Sequence, residues 1–275
     1  MLHSQRPTLM SRGLHNAPGN RFGPTYGPAG GPGSHRPGND QRHQPPTGFS
    51  VGGLLLGGVR LLAVATLALL TAMLLSAATL RWLNPPLTAY MLGHQSQARE
   101  LGQSDAIDYR WVDAGRIADS ARHAVIAAED PRFYQHNGFD FEAIRANLLP
   151  GEQRQNVSSL SQQLARNLFL WSERSWLRKL LEAMVTVVLE ISCPKERILT
   201  LYLNTAEFGH GIFGVESAAQ HFFQLPASEL SRQQAAALAA VLPYPGRWDP
   251  VEPEDAVAKR VQHIQRRMDE LFPPR

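Results

Sequence analysis

The sequence predicts a mostly α protein, a compact helical domain carried behind a single membrane-spanning helix. Three observations support that prediction. Leu61 to Leu80 is an uncharged apolar run without Pro or Gly, bounded by Arg60 and Arg81. At a rise of about 1.5 Å per residue, such a helix matches the roughly 30 Å hydrocarbon core of a bilayer. Downstream, apolar residues recur at three- and four-residue spacing, the period of one helix face, and no segment offers a convincing strand alternation.

The elements follow in chain order. Residues 1–50 are crowded with Gly, Pro, His, Ser, Asn and Arg and hold few aliphatic side chains. Such a stretch buries too little apolar surface to offset its chain entropy, so it reads as a disordered tail. Residues 51–83 form the anchor. A core helix would carry a polar stripe, and a signal peptide would have a shorter apolar region nearer the N-terminus. Arg6, Arg12, Arg21, Arg36, Arg42 and Arg60 precede the span against one acid, Asp40, which places the N-terminus in the cytoplasm and the rest outside. Asn84-Pro85-Pro86 breaks the helix, and residues 84–110 form a polar, helix-friendly stalk.

Residues 111–250 have the composition of a globular domain. Helical periodicity covers Ala121 to Glu129, Phe141 to Leu149, Ser159 to Leu170, Ser175 to Ile191, Pro194 to Asn204, Val215 to Phe223 and Ser231 to Leu242. Ser159-Leu160-Ser161-Gln162 reads as a capping box, and Pro194 suits a first turn. Gly209, Gly211 and Gly214 mark a loop between two helices. Residues 251–275 remain as a helical tail.

Composition excludes several functions. A net charge of +3, scattered along the chain, argues against nucleic acid and suits a protein working against anionic lipid. One cysteine, Cys193, rules out an intramolecular disulfide. His123, His136, His210 and His221 lack metal-site spacing, and no Gly-rich nucleotide loop occurs. Ser192-Cys193-Pro194-Lys195 matches a serine acyltransferase motif, but its partner motifs are missing and Pro194 interrupts the helix it needs.

The informative residues are polar groups inside apolar helices. Ala124 to Ala128 runs straight into Glu129-Asp130, two carboxylates poorly placed for the helix dipole. Arg178, Lys179 and Glu182 share one helix face, and the preceding helix carries Gln162, Gln163, Arg166 and Asn167 in one turn. Three cations, a Glu and several amides suit an anionic leaving group such as diphosphate, whose oxygens match Arg forks.

As a set, these residues resemble glycosyltransferase family 51, the peptidoglycan glycosyltransferases. Glu129-Asp130-Pro131-Arg132-Phe133-Tyr134-Gln135-His136-Asn137-Gly138 resembles the family's first motif. Ser158 to Leu164 with Arg166-Asn167 resembles the second, and Arg178-Lys179-Leu180-Leu181-Glu182 the third. Ile198 to Asn204 with Phe208-Gly209-His210-Gly211 resembles the fourth, and Ala239-Ala240-Val241-Leu242-Pro243 the fifth. The resemblance covers about residues 111 to 250. With the chain ending soon after, it looks like the monofunctional biosynthetic branch.

The resemblance implies a lysozyme-like fold in two lobes and polymerisation of lipid II into β-1,4-linked strands, with inversion and release of undecaprenyl diphosphate. It implies Glu129 as general base, with Glu182 assisting at the diphosphate, directly or through a divalent cation (Mg or Mn), no cofactor being required. Asp130, Phe133, His136, Ser159, Gln162, Gln163, Arg166, Asn167, Arg174, Arg178 and Lys179 are the expected substrate contacts. Expected partners are lipid II, the growing glycan, membrane lipid, penicillin-binding proteins and the division or elongation machinery. The chain departs from the family pattern at Asn156-Val157, where two glycines of a mobile lid are usual, and at Ser159, Arg166 and Thr200, where Thr, Lys and Glu are usual. A lysozyme-like hydrolase and an inactive scaffold are the alternatives.

Overall fold

A computed structural model of the chain describes residues 51–104, 106–147, 158–171, 173 and 175–274. The expected disordered tail, the Asn156-Val157 segment, Leu149 and Arg174 lie outside the described residues. Within them the protein is mostly helical, as the periodicity predicts.

Helix α1 (Val51–Thr79) continues the apolar run toward the N-terminus. Its stretch Leu55–Thr79 has a mean hydropathy of 2.3 and is long and apolar enough to cross a membrane. Most of its side chains, including Leu61, Leu62 and Leu69, are exposed, which no core helix would tolerate. Only the end turns inward: Ala77 and Leu80 are buried against α6 (Trp176–Ser192). The Asn84-Pro85-Pro86 break is held rigidly. The Arg197 guanidinium donates to the Leu80 and Leu83 carbonyls, both at 2.7 Å, and to Asn84 Oδ1 at 2.8 Å, while it stacks over Trp111. Arg81 donates to the Ser192 carbonyl at 2.9 Å.

The stalk contains α2 (Ala89–Glu100), capped by the Thr88 hydroxyl, which accepts from the Met91 N–H. It lies against α5 (Leu160–Phe169), with Met91 and Ala98 buried. At the centre is α7 (Lys195–Thr205), every residue of which from Ile198 to Thr205 is buried. A helix buried on all sides lies inside a domain, and its polar Thr200, Asn204 and Thr205 side chains donate to carbonyls one turn back. Each Leu or Ile buried there contributes about 1.5–3 kcal/mol relative to exposure. Helices α5 and α6 pack on each other and on α7. In a second group, α3 (Asp119–Glu129), α9 (Arg232–Val241) and α10 (Asp255–Leu271) pack mutually. The alanines from Ala235 to Ala240 allow α9 its close approach. Two short helices, α4 (Phe141–Asn147) and α8 (Val215–Phe223), complete the set.

Two expectations need correction. Residues 251–275 are no separate tail: Val257, Ile264 and Met268 of α10 are buried in the common core. The glycine-marked loop after α7 is a hairpin of β2 (Glu207–Gly209) and β3 (Ile212–Phe213), and β1 (Asp108–Tyr109) pairs parallel with β3. Strands of two or three residues are too short to show an alternation. The glycines have definite tasks here. Gly214 has φ +87°, and a Cβ there would stand 2.7 Å from the Asn204 carbonyl oxygen. Asn204 in turn grips the Val112 backbone from both sides, at 2.8 and 2.9 Å.

Candidate active site

Pro131 ends α3 abruptly. The residue before a proline is disfavoured in the α region, and Asp130 accordingly leaves the helix at φ −155° and ψ 74°. Glu129 thus becomes the last residue of an apolar helix, with only 6% of its surface exposed. Asp130, buried just beyond it, staples the end of α3 to the start of α5. Its carboxylate accepts from the Leu160 N–H at 3.0 Å and from His136 Nε2 at 2.9 and 3.1 Å.

The α5 terminus is built as the sequence predicts. The Ser159 hydroxyl accepts from the Gln162 N–H, and the Gln162 side chain accepts from the Ser159 N–H. The same hydroxyl donates to the Gly138 carbonyl at 2.5 Å. One residue further on, Gln163 Nε2 donates to Glu129 Oε2 and to the Ser158 carbonyl, both at 3.1 Å. Its Oε1 accepts from the Tyr202 hydroxyl at 3.0 Å. Burial and the charge of Glu129 push the Tyr202 hydroxyl well above the usual phenol range, so it remains a proton donor. From the other side, an Arg260 guanidinium nitrogen donates to Glu129 Oε1 at 2.9 Å. Glu129 is therefore held by an amide on α5 and a cation on α10.

Glu129 stands where two cavities meet. A cleft of about 1080 Å³ is lined by Glu129, Gln163, Arg166, Arg178 and Lys179 on one side and by Tyr244, Arg260, His263, Arg266 and Arg267 on the other. A second cavity of about 380 Å³, lined by Asp130, Arg132 and Ser159 among others, shares Glu129, Pro131, Ser158 and Arg267 with it. The larger cleft collects six Arg and Lys side chains against two carboxylates, Glu129 and Glu270. Burial and the neighbouring Arg267, Arg266 and Arg260 hold His263 below the usual imidazole range, so it is neutral at neutral pH. The cleft is suited to an anion.

Residues 95–269 match the family model described as transglycosylase. The chain belongs to the transglycosylase family. Over 197 residues it is 48% identical to the biosynthetic peptidoglycan transglycosylase of Pseudomonas putida strain W619, covering 70% of this chain and 84% of that protein. Proteins of the same name from Ectopseudomonas mendocina and Laribacter hongkongensis are 48% and 45% identical. They align over 70% and 69% of this chain and 81% and 85% of their own lengths. The mostly α architecture with its apolar N-terminal helix is consistent with the lysozyme-like fold expected of the transglycosylase family.

The residues that the sequence singles out for this transglycosylase-family chain take different places around the site. Glu129, Gln163, Arg166, Arg178 and Lys179 line the large cleft. Asp130 and Ser159 border the smaller cavity, while Gln162 has its side chain in the cap of α5. Phe133 is fully buried, so its part is packing, and Lys195 stacks over its ring. His136 faces Asp130, and Asn167 is half-buried and does not line the cleft.

Glu182 has no exposed surface, and both of its oxygens are taken: Arg178 Nη1 donates to Oε2 at 3.1 Å, and Lys179 Nζ donates to Oε1. A Mg or Mn ion prefers several oxygen ligands. A carboxylate already enclosed by two cations does not fit that preference, and no step is assigned to such an ion. What the sequence reading missed is the α10 face, above all Arg260. The signal was present, since Val257, Val261, Ile264 and Met268 keep helical spacing and place Arg260, His263 and Arg267 together on another face.

Proposed function

We propose that the chain polymerises lipid II into β-1,4-linked peptidoglycan strands, with Glu129 as general base and the cationic wall of the cleft receiving the leaving diphosphate. The observation that supports this most directly is the position of Glu129. It is a buried carboxylate, held from two sides, opening onto a cleft whose facing side chains are cations. The hydroxyl on C4 of the acceptor N-acetylglucosamine gives its proton to Glu129 as its oxygen attacks the anomeric carbon of the donor N-acetylmuramic acid. The bond from that carbon to the diphosphate oxygen breaks, the configuration inverts, and the electron pair leaves on undecaprenyl diphosphate. Arg166, Arg178 and Lys179 offset that developing charge, and buried Glu182 fixes the last two in place. Positioned charge of this kind is commonly the largest single contribution to a rate enhancement.

The same reading makes α1 a single-pass anchor in the bacterial inner membrane, with the N-terminus cytoplasmic and the catalytic domain outside, beside its lipid-linked substrate. Proteins that cross-link the new strands, of the penicillin-binding type, are the partners it calls for. Incubating the purified full chain in detergent with lipid II separates the alternatives. The proposal expects glycan polymer and free undecaprenyl diphosphate. A hydrolase would instead shorten preformed glycan, and a scaffold would do neither.

A further inference from the structure

Outside the cleft, three side chains converge that are widely separated in sequence: His94 on α2, Glu207 on β2 and His210 at the β2–β3 turn. One ligand-type atom from each lies within 4.8 Å of the other two. Both ring nitrogens of His94 are buried and make no hydrogen bond. The His94 Nε2 to Glu207 Oε1 separation of 3.6 Å is too long for one. Leaving a buried polar group unsatisfied is costly, so such a group calls for an explanation.

The separation fits another purpose. Two donors on a tetrahedral zinc ion, each at about 2.0–2.2 Å, stand about 3.4 Å apart. The His94 and His210 rings lie side by side, with centroids 4.8 Å apart and planes inclined by 58°. The carboxylate is oriented from behind: the Tyr90 hydroxyl donates to Oε2 and the Gly211 N–H to Oε1, both at 3.1 Å. Outer contacts of this kind fix the geometry of metal ligands. Two imidazoles and a carboxylate form the donor set of three-ligand zinc sites, and they are too nitrogen-rich for Mg or Ca.

We infer that His94, Glu207 and His210 form a binding site for a zinc-type divalent cation that clips the membrane-proximal helix α2 to the β2–β3 hairpin. None of the three lines the cavities at Glu129, so the site is separate from the proposed chemistry. His210 is exposed, which leaves the fourth coordination position to water.

The test uses the full chain in detergent, stripped with EDTA and titrated with zinc chloride by calorimetry, with thermal unfolding in parallel. The expected result is one ion bound per chain with micromolar or tighter affinity, and a Tm rise on the order of 5 °C at a hundredfold excess over Kd. Magnesium chloride should give no such rise. His210→Ala removes an exposed side chain, so its metal-free Tm should equal that of the unaltered protein while its zinc affinity falls at least tenfold. His94→Ala should lose affinity as well, and His94→Cys, which restores a zinc ligand, should recover most of it. His123→Ala, remote from the cluster, should bind normally. The inference is overturned if zinc does not bind at micromolar concentration, or if binding survives both His94→Ala and His210→Ala. It is equally overturned if binding is lost with His136→Ala, which would put the ion at the Asp130–His136–Asp140 cluster.

Discussion

Glu182→Gln separates a structural carboxylate from a chemical one. The amide keeps the shape of the side chain, removes its charge and turns an N–H₂ toward one of two cations. Glu182 is fully buried and Arg178 is 8% exposed, so the substitution leaves a buried guanidinium without its counter-ion. Breaking a buried pair from one side costs about 3–5 kcal/mol. Arg178 borders the cleft, where water reaches it, which lowers that figure. The Lys179 side chain is 52% exposed, so its share is at most about 1 kcal/mol. A net loss of about 2–4 kcal/mol follows, or a Tm lower by roughly 5–12 °C for a chain of this size. Circular dichroism in detergent at a fixed scan rate measures the shift, and lipid II turnover at a temperature well below it measures kcat. Both should fall, kcat by about tenfold or more as Arg178 and Lys179 lose their fixed positions. A variant with unchanged Tm and a kcat lower by two or more orders of magnitude would refute this reasoning, because Glu182 would then act on substrate itself.

Three further outcomes are expected. Lys179→Ala and Arg166→Ala should each lower kcat for lipid II about 10²-fold or more with KM little changed, and Arg166→Lys should be nearly neutral; steady-state kinetics would expose them as mere binding contacts if only KM rose. Arg260→Ala should lower kcat roughly 10- to 100-fold while the Tm moves by only about 2–4 °C, since it removes a partly exposed cation from Glu129 and little packing; a full rate would mean that Gln163 suffices to hold the base. Protease added to intact spheroplasts should remove a C-terminal tag and spare an N-terminal one, and the opposite pattern would invert the topology of α1.

How far the sequence reached can be traced residue by residue. Helices with a strong apolar stripe were visible because burial on one face imposes a period that survives in a single sequence. The box at Ser159 and Gln162 was visible because an N-cap is a local interaction. The same two side chains were also expected to touch substrate, which a local cap neither requires nor forbids, and Ser159 borders the smaller cavity as well. Phe133 shows a similar limit, since a motif residue buried in the core looks no different in sequence from one that faces a ligand. The hairpin at Glu207 to Phe213 was hidden by its brevity. Arg260 and the His94–Glu207–His210 cluster were hidden by distance along the chain, because nothing local records that α10 crosses the end of α3 or that α2 lies beside the β2–β3 turn.

The central claim is that Glu129 takes the acceptor proton, and Glu129→Gln tests it most directly. The amide preserves size and its oxygen can still accept from Arg260, while its N–H₂ then faces the Gln163 amide, and it cannot accept a proton at neutral pH. A general base contributes about 10²–10⁴-fold. With lipid II at saturating concentration, the variant should retain the unaltered Tm within a few degrees and lose at least about 99% of the polymerisation rate. A folded variant that kept more than about a tenth of the rate would place the base on another residue and contradict the account.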